Sequence, residues 1–118
     1  MGAKQECKKL IQEAVVLRDP ICVRPGCGSP SDCGHHIFKR DRPTTAFLPE
    51  ACVGLCTRCH TGFAHGKPEE FKRFMISRLG EDRYYELRRL SYKTAEEIDY
   101  VVIRDGLRAF IAELRRSA

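Results

Sequence analysis

No apolar run in these 118 residues approaches the roughly 18 that a membrane-spanning helix needs, which excludes a helical membrane protein. The opening stretch MGAKQECKK has no apolar signal-peptide core, and Met1-Gly2, a start compatible with myristoylation, is followed by Glu6 where Ser or Thr is wanted. Internal repeats, low-complexity segments and linkers are missing too. The expectation is a single domain over residues 1–118, without length for a second catalytic one. Charge is only mildly one-sided: the net +5 favours a polyanionic partner such as nucleic acid but is ordinary for a soluble domain. Nothing has the pattern of a base-reading helix, so any DNA contact is expected to be with backbone and shape.

Histidine is scarce and the cysteines are odd in number, yet both are concentrated. All four histidines and all cysteines but Cys7 lie between Cys22 and His65. Cys22 and Cys27 flank the Pro25-Gly26 turn, while Cys56 and Cys59 form a Cys-x-x-Cys ahead of an expected helix. Two short thiolate arms can thus converge on one tetrahedral structural zinc. Zinc thiolates of this kind belong to a reducing compartment, so the expected location is the cytoplasm. Cys7 and Cys52 fit a buried core. Cys33 has three readings: a substitute for Cys27, a partner for Cys52 in a disulfide, or packing beneath a strand.

Around this centre the chain divides into an N-terminal helix (5–18), a zinc-stapled core (21–66) and a helical C-terminal part (68–116). The first helix carries an apolar stripe of Cys7, Leu10, Ile11, Ala14 and Val15, with Lys4, Lys8, Lys9 and Glu13 on a face read as solvated. Residues 33–38 and 52–55 read as the strands of a hairpin closed by the loop 39–49. Residues 57–64 read as a helix weakened by Gly62. Pro68, Glu69 and Glu70 open the next helix, capped by Gly80. Residues 82–90 form another. Thr94-Ala95-Glu96-Glu97 fits a capping box for a last helix with the stripe Ile98, Val101, Val102, Phe110, Ile111 and Leu114. The fold class is therefore α+β, a small hairpin-and-helix core packed against terminal helices.

This layout resembles the HNH, or ββα-metal, endonuclease family in the subgroup stapled by a four-cysteine zinc. The resemblance is carried by Cys22 with Cys27, by Gly34-His35-His36-Ile37, and by Leu55-Cys56-Thr57-Arg58-Cys59-His60 with Ala64-His65-Gly66. The whole chain, helical tail included, is similar to small phage recombination endonucleases of the NinG/Rap type. The resemblance implies a metal-dependent DNA endonuclease with His36 as general base, and His35 and His60 as ligands of a catalytic Mg²⁺ or Mn²⁺. Adjacent strand residues face opposite sides, in keeping with different roles for His35 and His36. A general base of ordinary histidine pKa implies cleavage rising between about pH 6 and 7.

His65 stands about 140° from His60 on an ideal α-helix, so it is either a ligand or phosphate contact or a capping or surface residue. Lys39, Arg40, Arg42 and Arg58 lie beside the expected site and can meet phosphates, whereas Arg73, Arg78, Arg88 and Arg89 are interleaved with acids and read as a solvated face. The family's usual asparagine is replaced by Ala51. A backbone carbonyl, Asp32 or Asp41 then has to orient the base, or the enzyme is slow, or the chain is a non-catalytic zinc module that binds nucleic acid. The sequence does not specify an oligomeric state, and a dimer is compatible with it.

Overall fold

A computed structural model describes residues 2–94 and 97–118. Helix α1 (Ala3–Arg18) buries Cys7, Ile11, Ala14 and Val15, the stripe expected from the three-four spacing, and ends one residue before Asp19 and two before Pro20. Strands β1 (Cys33–His36) and β2 (Cys52–Leu55) pair antiparallel, with Cys33 opposite Leu55 and His36 opposite Cys52. The first strand is two residues shorter than expected. β2 is buried along its whole length and is followed by α2 (Thr57–Cys59), a π-helical turn (His60–His65), α3 (Pro68–Leu79), α4 (Glu81–Ser91) and α5 (Tyr100–Ser117).

The alternation of β2 divides the core in two. Val53 and Leu55 join Phe63, Phe71, Met75 and Tyr84 around three of the zinc-arm cysteines, whereas Cys52 faces Cys7, Ile11, Val15 and Leu107 between α1 and α5. Asp19 fastens the two halves. Its buried carboxylate accepts the Gly54 amide at 2.9 Å and pairs with Arg18 at 2.8 Å and Arg78 at 3.1 Å. A Cβ on Gly54 would meet Asp19 Cβ and backbone O at 2.7 Å, so only glycine permits this approach. Burial alone would raise the Asp19 pKa; the Arg18 and Gly54 hydrogen bonds and the charges of Arg18 and Arg78 outweigh it and hold the carboxyl below its ordinary value.

The last helix corrects the sequence reading. It starts at Tyr100, where Asp99 accepts the amides of Val101 and Val102 at 3.0 and 3.2 Å. Ala95 and Glu96 of the expected capping box lie outside the described residues; Thr94, Glu97, Ile98 and Asp99 are not helical. The buried stripe centres on Leu107 and Ile111, leaving Val101 and Val102 exposed. At about 100° per residue, Val102 stands roughly 140° from Leu107 and opposite Ile111. Glu6 bridges α1 to Arg104 and Arg108 of α5 at 3.6 and 2.6 Å, and Glu13 pairs with Arg115. No helix among the described residues is long and apolar enough to cross a membrane.

Candidate metal centres

Cys22 and Cys27 come from a loop closed by the Ile21–Pro30 bridge and by the Cys22 amide donating to Ser29 O at 2.7 Å. Positive φ angles at Gly26 (81°) and Gly28 (73°) turn the chain back between the two sulfurs. On the other arm the Cys56 sulfur accepts the Cys59 amide at 3.4 Å and so caps α2. The four Sγ atoms lie within 4.8 Å of one another, with Cys27 at 3.8 Å from Cys56 and 3.7 Å from Cys59. Thiolates held at about 2.3 Å around a tetrahedral zinc stand about 3.8 Å apart, against about 2.0 Å in a disulfide. The quartet therefore has the spacing to hold a structural zinc.

Its surroundings suit that charge. Arg24 lies over the Phe63 ring at 4.8 Å, with its guanidinium 4.0 Å from Cys59 Sγ, where it would offset the negative charge of four thiolates. Hydrogen bonds from the Ser29 backbone and side chain hold the Cys27 thiol down at about 6. Burial raises Cys22, and pushes Cys59 up to about 12. Cys33 is outside the quartet and not joined to Cys52: its sulfur lies 3.6 Å from Leu55 O and 3.8 Å from His60 Nδ1.

A second cluster is built from β1 and the turn that follows Cys59. His35, His60 and His65 have ring centroids 4.9, 5.1 and 4.9 Å apart, nearly an equilateral triangle, and each offers a nitrogen within 4.8 Å of the others. His60 Nε2 and His65 Nε2 are 3.2 Å apart. Two imidazole nitrogens on one tetrahedral ion at 2.0 to 2.1 Å would stand about 3.3 Å apart. The turn from His60 to His65 is π-helical; its wider winding removes the offset that an α-helix would impose and brings His65 back over His60. Burial, and then the neighbouring His60, His65 and His36, push the His35 pKa down to about 4, and burial followed by His65 lowers His60. Both rings are thus neutral near pH 7, with a lone pair free for a metal.

His36 is oriented differently. Its Nε2 lies 2.9 Å from Ala46 O. A carbonyl can only accept, so Nε2 carries the hydrogen and Nδ1 keeps its lone pair. The orienting group is thus a backbone carbonyl, one of the alternatives expected from Ala51, which is itself buried. Asp32 is committed elsewhere, accepting the Thr57 amide at 2.8 Å and hydroxyl at 3.0 Å. Burial lowers the His36 pKa, Arg40 lowers it further, and the Ala46 bond opposes both. The strand itself is held by Gln12, whose side chain donates to Gly34 O at 2.9 Å and accepts the Gly34 amide at 2.7 Å, as a neighbouring strand would.

No family model, curated protein or solved structure matches the chain. A cavity of about 1050 Å³ collects all four histidines with Lys39 and Arg40. The expected phosphate contacts Arg42 and Arg58 are not on its wall: Arg42 lies over the Tyr92 ring at 4.9 Å, and Arg58 is exposed on α2. Lys72, Gln12 and Tyr84 line the cavity instead. Gln12 had a visible signal, since with Lys4 and Lys8 it repeats every four residues along α1 toward β1.

Proposed function

We propose that the protein is a metal-dependent endonuclease of the HNH type, in which β1, β2 and the helical turn after them form a ββα-metal core stapled by zinc on Cys22, Cys27, Cys56 and Cys59. The observation that carries this reading is the histidine triangle open to a cavity next to His36, a ring whose basic nitrogen is set by the Ala46 carbonyl. His35, His60 and His65 would hold a divalent ion, leaving positions for water and phosphate. Three imidazoles without a carboxylate suit a borderline transition ion better than the expected Mg²⁺ or Mn²⁺. Such an ion would act as a Lewis acid toward the charge that develops on the phosphate and the leaving oxygen. His36 Nδ1 takes the proton of the attacking water; Nε2–H stays on Ala46 O, so the ring does not turn. Lys39 and Arg40 hold the strand by its phosphates. Burial lowers the His36 pKa, so the ring is neutral at pH 7 and the expected rise in cleavage lies toward lower pH than an ordinary histidine would give.

The test is plasmid nicking by zinc-loaded protein with Mg²⁺, Mn²⁺, Co²⁺, Ni²⁺ or added Zn²⁺, alongside His35→Ala. Nicking that needs an added ion and disappears in the variant is the expected result. Retardation of the plasmid without nicking under any ion would leave only a zinc module that binds nucleic acid.

A further inference from the structure

Lys4 and Lys8 fall on the helix face that the sequence assigns to solvent, and both are exposed, but that face also borders a cavity. They line a second cavity, of about 590 Å³, between α1 and the loop after β1, with His36, Arg40, Asp41 and Tyr100 also on its wall. One turn of helix separates Lys4 from Lys8 and another separates Lys8 from Gln12, so the row advances about 6 Å per step toward Gly34. Gln12, His36, Arg40 and Asp41 also belong to the wall of the histidine cavity, so the two cavities adjoin and share one wall. The acids of α1 are engaged on the α5 side, Glu6 with Arg104 and Arg108 and Glu13 with Arg115. Among the described residues, no carboxylate lies within 4 Å of the Lys4, Lys8 or Arg40 charge. Asp41 is the one acid on the wall, against three cations.

We infer that this second cavity binds backbone phosphate of the DNA strand that flanks the bond presented to the histidines, with Lys4, Lys8 and Arg40 as its cations. The identity of the polyanion rests on the nuclease reading; the anion site itself rests on the cavity. The strand would run from the histidine triangle past His36 and along α1, so that the row of lysines, and not the exposed Arg58, sets how far contact extends to one side. Such contacts carry no base information and give a binding that weakens steeply with salt.

The experiment compares zinc-loaded full-length protein with a Lys4→Ala, Lys8→Ala double variant, both without added divalent ion, in binding a short DNA duplex across a salt series. Both lysines are exposed, so the circular dichroism spectrum and melting temperature should not move. The expected result is at least about a tenfold loss of affinity and a salt slope lower by about 1 to 2, with Co²⁺ binding at the histidines unchanged. Equal affinity and slope in the two proteins would overturn the inference while leaving the nuclease reading intact. If the wild type binds no DNA, the nuclease reading fails, and inorganic tripolyphosphate decides the cavity: amide shifts around Lys8 and Tyr100 that the double variant loses keep an anion site there, and their absence in the wild type removes it.

Discussion

With zinc on the cysteine quartet as proposed, chelation is expected to unfold one half of this protein before the other. A domain of this length has a total stability of roughly 6 to 18 kcal/mol, and a structural zinc contributes an apparent binding free energy of about 10 to 16 kcal/mol at neutral pH. Loss of the ion is therefore comparable with the whole of the folding free energy. The structure says where that loss falls. Cys22, Cys56 and Cys59 are packed into the same cluster as Val53, Leu55, Phe63, Phe71 and Met75, whereas the cluster of Ile11, Val15 and Leu107 between α1 and α5 contains none of the quartet. Hydrogen exchange after treatment with a strong chelator should show Val53 and Leu55 amides losing protection first, with those of α1 and α5 retaining part of theirs. Metal analysis and a thermal melt on the same sample complete the assay. A preparation holding less than about 0.5 zinc per chain, with unchanged melting temperature and unchanged protection at Leu55, would refute the assignment.

Two further outcomes follow from individual side chains. His36→Ala should lower cleavage about 100-fold to 10,000-fold with zinc content and DNA affinity close to wild type, because the ring's hydrogen bond goes to the Ala46 carbonyl and not to the cysteine quartet; a folded variant that still cleaves at the wild-type rate would remove His36 as the base. Asp19→Asn should cost about 2 to 3 kcal/mol in urea melts at pH 7, less than a fully buried pair because Arg18 and Arg78 remain 23% and 34% exposed. Since the Asp19 carboxyl is held below its unfolded pKa, its stabilisation is present above that value and is lost as pH falls through the folded one, so the gap between variant and wild type should close below about pH 4. A gap that stays constant with pH would contradict the ion-pair explanation.

The cysteine quartet and the hairpin were legible because both depend on local spacing. Cys-x-x-Cys fits one turn of helix, and the strands carry their pattern in adjacent residues. What was not legible depends on contacts between distant segments. Arg78 belongs by sequence to a charged helical face, yet it reaches Asp19 on the other side of the core. Lys4 and Lys8 are unremarkable on a helix until the fold sets the loop after β1 beside them. Val101 and Val102 extend an apolar stripe on paper and lose it once the helix begins at Tyr100. The single hydrogen bond that fixes His36 uses a backbone carbonyl, which has no residue-type signature at all.

The π-turn between His60 and His65 also bears on how such a centre can be recognised in other chains. An α-helix places residues four apart on one side, and this wider turn does the same for residues five apart. The two spacings are therefore equivalent in what they present to an ion, and they differ by one inserted residue. Gly62, exposed and with open space where a Cβ would be, is the natural position for that residue. Removing it would let an ordinary helix carry the same pair of imidazoles, so a fixed gap between histidines is the wrong criterion for this triangle: what the chain preserves is the side they face, across two different ways of counting.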